Sequence, residues 1–302
     1  MDSFGGKLAV ITGGGTGMGR ALALQLVAED CDVAMCDVSS DNMTQCAMLC
    51  AAQAPQGVRV TTHLVDVADR DAVLRFRDEV VDQHQCKSIN LLFNNAGIGG
   101  GGSFLTDPEE QWERTYNICW GGVYNCTRAF MPLLVAADEA HLINTSSING
   151  FWASMGPGRP HTAYSAAKFA VKGFTEALLT DLRTHAPHVG VSVVMPGHIG
   201  TSILINSAKV LDRDDPLNMS GQAELSEEAR AQAIQRALAF RDHAPVTADQ
   251  AATVILDGVR ARQWRILIGE DAHALDQRVR ESPKDAYEES FMARWSDQRA
   301  PR

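Results

Sequence analysis

The stretch Leu8-Ala9-Val10-Ile11-Thr12-Gly13-Gly14-Gly15-Thr16-Gly17-Met18-Gly19, followed by Arg20-Ala21-Leu22-Ala23-Leu24-Gln25-Leu26-Val27-Ala28, decides the fold. An apolar, β-branched run leads into a glycine cluster, which opens onto a run of strong helix formers: strand, tight turn, helix. Glycine is needed in such a turn so that the backbone can bend sharply and approach a pyrophosphate, whose charge is favoured at a helix N-terminus. A glycine cluster by itself fits an ordinary loop equally well. Here a second strand-like run, Asp32 to Asp37, follows the helix and ends in a carboxylate 18 residues past Gly19, near the spacing at which an acid binds ribose hydroxyls. The combination points to dinucleotide binding.

Working outward, short apolar runs alternate with longer helical patterns, the signature of βαβ units and a parallel sheet. The predicted strands are Leu8 to Thr12, Asp32 to Asp37, Val58 to Val65, Ile89 to Asn94, His141 to Ser146, Gly190 to Met195 and Arg265 to Ile268. This predicts a single-domain α/β, Rossmann-type, doubly wound sheet of about seven parallel strands with helices on both faces. Right-handed crossovers then place a ligand cleft at the carboxyl ends of the strands, where the strand order reverses. The catalytic domain is expected over 1–269, with 202–245 as a substrate lid region. Residues 270–302 are expected as a C-terminal extension packed on its own or a partner subunit.

The chain has 302 residues, 45% of them hydrophobic, and a formal net charge of -10, with an isoelectric point near 5.3. That length suits one large core. The acidic balance argues against nucleic acid or an anionic membrane surface as partner. No apolar stretch reaches the length of a membrane span and the start lacks a signal-peptide pattern, so cytoplasmic residence is expected. The seven cysteines form no CxxC pair, which suits reduced thiols and no metal site.

Further motifs occur in order along the chain. The turn has the spacing TGxxxGxG, Asp66-Val67 follows the third strand, and Asn94-Asn95-Ala96-Gly97 follows the fourth. Ser146-Ser147 ends the fifth strand, and Tyr164-Ser165-Ala166-Ala167-Lys168 and Pro196-Gly197-His198-Ile199-Gly200-Thr201 come after it. This series resembles the short-chain dehydrogenase/reductase family through most of the chain. The resemblance implies an NAD(P)-dependent oxidoreductase with Ser147, Tyr164 and Lys168 as catalytic residues, Ser146 being the structural alternative to Ser147. It implies cofactor binding by Gly13, Gly15, Thr16, Gly17, Met18, Gly19, Asp37, Asp66, Val67, Asn94, Ala96, Gly97, Tyr164, Lys168, Pro196, Gly197, Ile199 and Thr201. It also implies a homodimer or homotetramer.

The residue types support that chemistry. Tyr164 and Lys168 stand four apart and share a helix face. A phenol, with an ordinary pKa of about 10, is a weak base at neutral pH, and an adjacent ammonium favours the phenolate. Tyr164 would accept the alcohol proton in oxidation and donate to the carbonyl oxygen in reduction. Lys168 would also bind the nicotinamide ribose, as the resemblance implies. NAD is expected over NADP, because Asp37 repels a 2′-phosphate and Thr16 stands where many NADP-using members carry a cation.

Three features depart from the family pattern. Counting from Trp112 and back from Val123 puts Cys119 where the family keeps an asparagine that supports a relay water, with Asn117 two residues earlier; a shifted helix would let Asn117 serve instead. The Ser147 to Tyr164 interval is longer than the family's, and its apolar residues, including Phe151 and Trp152, are expected to overhang the cleft or to form a subunit contact. Gly99 to Gly102 suggest a flexible wall. With His198 as a further candidate for substrate contact, these features predict a bulky, apolar secondary alcohol or ketone. The alternatives are a non-catalytic or weakly active dinucleotide-binding protein and a same-fold epimerase or dehydratase.

Overall fold

The computed structural model describes residues 1–156, 158–217 and 225–291. Strands β1 (Leu8–Thr12), β2 (Asp32–Asp37), β3 (Val60–Leu64), β4 (Leu91–Asn94), β5 (Ala140–Thr145), β6 (Val189–Pro196) and β9 (Arg265–Ile268) form one parallel sheet in the order β3-β2-β1-β4-β5-β6-β9. All seven predicted strands are present; the first, second and last keep their predicted bounds, and the others shift by one or two residues at an end. A separate two-stranded sheet, β7 (Ile199–Gly200) with β8 (Val246–Thr247), was not predicted, because two residues carry no readable alternation.

The central strands are buried throughout because both faces of the sheet are covered. All five residues of β1 and all six of β5 are buried, whereas the edge strand β3 exposes Thr62 and Leu64. One face is packed by α1 (Gly17–Ala28), α2 (Ser40–Gln53) and α9 (Ala248–Arg260), with Phe4, Leu22, Leu26, Met35 and Leu256 in its core. The other is packed by α3 (Arg70–His84), α5 (Gly122–Val135) and α6 (Thr162–His185), around Val10, Phe76, Leu92 and Phe130. The order reverses between β1 and β4, so their carboxyl ends splay apart and open a crevice.

Helix α4 (Glu109–Tyr116) runs into α5 through a π turn, Asn117–Gly121, in which the Gly122 N–H reaches back to the Asn117 carbonyl. Within 202–245, α7 (Ile203–Val210) lies by the crevice and α8 (Glu227–Asp242) leads back to β8. Residues 218–224 of that lid region, and 292–302 of the extension with its Trp295, lie outside the described residues. The remainder of the extension, α10 (Glu270–Glu281) and the segment to Phe291, packs on its own chain, forming a cluster with Ile148 and Trp152.

The turn after β1 is tightly packed. Gly13 is left-handed at φ 66°, and a Cβ on Gly19 would stand 2.1 Å from the Gly13 carbonyl oxygen, where no flexible side chain can give way. Gly19→Ala is expected to lower stability by ~1–3 kcal/mol, the usual cost of overpacking. Urea unfolding monitored by circular dichroism checks this; an unchanged midpoint would mean that α1 can back away from the turn.

Candidate active site

The site is built where β5 ends beside α6. Two reciprocal hydrogen bonds fasten them: Lys168 Nζ donates to the Thr145 carbonyl at 2.8 Å, and Ser146 Oγ donates to the Lys168 carbonyl at 2.7 Å. Ser146 is thereby engaged in structure, and Ser147 is the serine next to Tyr164, close enough for its hydroxyl to lower the phenol's pKa. The Asn149 N–H caps Ser147 Oγ at 3.1 Å, which fixes the serine rotamer at the start of a short 3₁₀ turn, Ile148–Gly150.

At the other end of α6 the first backbone donors are satisfied by the glycine run. Ala163 N–H donates to Gly101 O and Thr162 N–H to Gly102 O, each at 2.9 Å. Gly101 is left-handed at φ 60° and a Cβ there would stand 2.3 Å from that of Ala163, so this close approach requires glycine. The run is also pinned elsewhere: Gly99 N–H donates to Ser207 Oγ and Gly102 N–H to Asp107 Oδ2. The flexible wall suggested by four glycines is instead a fastened cap, because the missing side chains make room for close packing.

Lys168 is 3% exposed, and its ammonium lies 5.4 Å from the Tyr164 ring centroid. Burial pushes the Tyr164 phenol well above its ordinary range; the Cys119 thiol adds to the rise and the Ser147 hydrogen bond opposes it. Burial pushes the Lys168 ammonium down, with Cys119 opposing. Desolvation is therefore the dominant influence on the phenol, contrary to the simple expectation from the tyrosine–lysine spacing. Cys119 is fully buried and its thiol donates to the Ile98 carbonyl at 3.2 Å. A Cβ on Gly97 would stand 3.5 Å from Lys168 Nζ and 3.7 Å from Cys119 Sγ, so the thiol occupies the space behind the lysine. Asn117 is exposed. A bulge is present in this helix, yet it turns Asn117 outward rather than toward Lys168.

The crevice beside this cluster is lined by Gly13, Thr16, Gly17 and Met18 from the first turn, and by Asp37, Asp66 and Val67 from the ends of β2 and β3. Ala96, Gly97 and Thr201 complete its wall. Thr12 Oγ1 accepts the N–H groups of Asn95 and Ala96, both at 3.0 Å, which ties the β4 loop to the glycine turn. Asp37 accepts the N–H of Gly15 and of Ser39, both at 3.1 Å, and keeps a partly exposed carboxylate at the crevice. A dinucleotide fits the chemistry of this cradle: a glycine turn open to phosphate at one end and a carboxylate at the next strand for ribose hydroxyls.

Several expected residues stand behind the crevice rather than on it. Gly15 and Gly19 shape the turn, Pro196 ends β6, Gly197 N–H bonds to Ile268 O, and Ile199 is buried in the small sheet. Asn94 is 2% exposed, and its amide nitrogen donates to Thr127 and Asn144 in the interior. All three substrate candidates are turned away from the crevice. Trp152 is 1% exposed and its indole N–H donates to Ala286 O, so it joins the C-terminal segment instead of overhanging the cleft. Phe151 is partly buried beside Arg265. The His198 ring stacks on Phe240 and bonds to its carbonyl, lining a different groove.

Asn206, Arg114 and His161 were not singled out from sequence. Asn206 donates to Thr16 Oγ1 across the crevice, and Arg114 pairs with Asp66 at 2.6 Å. Arg20 folds back onto the Gly15 carbonyl. His161 stacks on Tyr164 with centroids 4.6 Å apart, and burial, joined by the charge of Arg213, takes its pKa down to about 4. Its position three residues before Tyr164 on one helix face was the available signal.

The profile described as short chain dehydrogenase matches residues 7–211. The chain is 38% identical over 276 residues to the Mycobacterium tuberculosis protein designated oxidoreductase SadH, covering 91% of each. It is 30% identical over 196 residues to the 3-oxoacyl-[acyl-carrier-protein] reductase FabG of Thermotoga maritima, covering 65% of this chain and 75% of that one. Among solved structures, a short chain dehydrogenase/reductase from Burkholderia phymatum in complex with NAD superposes with a TM-score of 0.77 at 29% identity, covering 94% of this chain and 95% of that one. With these matches and a seven-stranded parallel sheet that carries the family's motifs at its carboxyl edge, the chain belongs to the short-chain dehydrogenase family of oxidoreductases.

Proposed function

We propose that this oxidoreductase is an NAD-dependent alcohol dehydrogenase or carbonyl reductase acting on secondary alcohols and ketones. The observation that carries the reading is the convergence of Ser147, Tyr164 and Lys168 beside the crevice, with the serine hydroxyl placed to act on the phenol and the lysine anchored on β5. A bound nicotinamide would supply hydride-transfer chemistry. Ser147 would hold the substrate oxygen, and Tyr164 Oη would donate its proton to that oxygen in reduction and accept it in oxidation. The Lys168 ammonium would support the phenolate and hold the nicotinamide ribose. A bulky, apolar substrate is supported by Phe104 and Leu105, large side chains 73% and 91% exposed on the loop that caps α6. A homodimer or homotetramer, as is usual for the family, is the assembly we propose.

Tyr164→Phe is expected to lower turnover by at least about a thousandfold while leaving NADH affinity nearly intact, since only the proton donor is lost. A secondary-alcohol and ketone panel followed by NADH absorbance, with NADH fluorescence titration alongside, measures both. Substantial turnover would remove the phenol from the chemistry. The direction of the phenol's shift sets the pH dependence. A raised pKa keeps Tyr164 protonated through neutral pH, so reduction should hold its rate there and oxidation should climb as the pH is raised above neutral. An oxidation rate that is flat or falling with rising pH would contradict it.

The cofactor preference follows from Asp37, which would bond ribose hydroxyls and repel a 2′-phosphate. NADH should bind at least about tenfold more tightly than NADPH, and Asp37→Ala should narrow the gap. Equal affinities in the native protein would remove this reading. The inward Cys119 and outward Asn117 set a second pair of outcomes. Cys119→Asn should keep or raise kcat, because an amide is the better hydrogen-bonding group, and Asn117→Ala should have little effect. A severe defect in Asn117→Ala with an indifferent Cys119→Asn would show that the relay runs through Asn117.

A further inference from the structure

The loop after β5 is tied to the far end of the chain by a continuous series of contacts. Trp152 is 1% exposed, its indole N–H donates to the Ala286 carbonyl at 2.7 Å, and its ring lies 6.0 Å from that of Phe291. The next residue, Ala153, donates its N–H to the Tyr287 hydroxyl at 3.1 Å. Phe291 is held in turn by Arg278, whose guanidinium lies 4.5 Å from the ring centroid and donates to the Phe291 carbonyl. On the side facing the site, Asn149 Nδ2 donates to the carbonyls of Trp152 and Ser154, at 3.1 and 2.9 Å, and the Asn149 N–H donates to Ser147 Oγ. Ile148 packs in the same apolar cluster as Trp152, Leu275, Ala286 and Phe291.

We infer that segment 282–291 is a brace that positions Ser147, with Trp152 and Tyr287 as positioning residues that act through Asn149. The inference rests on the reading of Ser147 as the residue that holds the substrate oxygen. The physical basis is preorganisation. Ser147 starts a single 3₁₀ turn, so only short-range backbone bonds such as Gly150 N–H to Ser147 O, and no sheet ladder or long helix, hold the chain on its C-terminal side. Asn149 and the turn's backbone both bond onward to Trp152, so a shift of Trp152 is passed to the turn. A displacement of about 1 Å in a catalytic group can cost about a hundredfold in rate. The brace therefore accounts for a tryptophan that is buried away from the cleft although its loop adjoins the site.

The test compares Trp152→Phe, which keeps an aromatic ring and loses the indole N–H, with Tyr287→Phe, which loses one hydroxyl at a half-exposed position. Ser147→Ala is the reference. With NAD and the fastest alcohol of the panel, Trp152→Phe should lower kcat about tenfold and Tyr287→Phe about threefold, with NADH affinity changed less than about twofold. A displaced Ser147 hydroxyl also lowers the phenol's pKa less, so the phenol holds its proton more tightly. The oxidation limb of the pH profile should then move up by about half a unit in Trp152→Phe, an effect that a general loss of stability would not produce. In the cofactor-free protein, amide hydrogen exchange over residues 147–154 should be faster in both variants than in the native chain.

Native-like kcat, pH limb and exchange in both variants, with Ser147→Ala inactive, would overturn the brace and leave the site reading intact. A lowered kcat with an unmoved limb would reduce Trp152 to a packing role and overturn it as well. Full activity in Ser147→Ala would overturn the reading of the serine itself, and the brace with it. If Trp152→Phe fails to fold, the same readings on Tyr287→Phe decide the question.

Discussion

The buried Lys168 ammonium is the constraint on which the rest of the site depends. A cation without solvent is costly, and here it is held by the Thr145 carbonyl at the last residue of β5, while its own backbone carbonyl accepts Ser146 Oγ. The strand end and the middle of α6 thus cannot move independently. Since Ser147 follows Ser146 directly and Tyr164 lies one turn before Lys168, the clamp sets the distance between the two hydroxyls. The neighbouring space has to be small and dry, and it is filled by Gly97, which leaves room for the lysine, and by the fully buried Cys119.

The second half of the site is arranged around Thr12. Its hydroxyl accepts the N–H groups of Asn95 and Ala96 at the end of β4, so the two strands on either side of the order reversal are joined at the point where they diverge. The crevice is consequently rigid at its floor. Its outer wall comes from α7, where Asn206 reaches Thr16 across the opening. The glycine run 99–102 then links α7 to the start of α6, through Ser207 on one side and the Thr162 and Ala163 amides on the other. One continuous frame therefore holds both the crevice and the hydroxyl pair.

Much of this was legible in the sequence because the interactions involved are local or repeat at fixed spacing. The glycine turn, the carboxylate at the end of β2 and the four-residue spacing of Tyr164 and Lys168 all follow from strand and helix periods. What could not be read depends on partners far along the chain. The aromatic run beginning Phe151-Trp152 fits a cleft wall or a core equally well, and its place is decided by Ala286, 134 residues later. His198 lies among family residues but meets Phe240, which comes from a separate helix. The glycines after the Asn94-Asn95 pair suggested looseness because a sequence shows missing side chains and not the neighbours that fill the space. The phenol's shift is of the same kind: the spacing reveals the ammonium, whereas burial, the larger effect, is set by the whole fold.

Under the proposed function, the clamp between β5 and α6 makes Ser147 and Tyr164 act on one and the same oxygen. A crystal structure of the protein with NAD and a secondary alcohol tests this most directly. We expect the alcohol oxygen within about 3.2 Å of both Ser147 Oγ and Tyr164 Oη, with Lys168 Nζ still on the Thr145 carbonyl. An alcohol oxygen bound to neither hydroxyl, or a lysine released from Thr145 when the site is filled, would contradict the account.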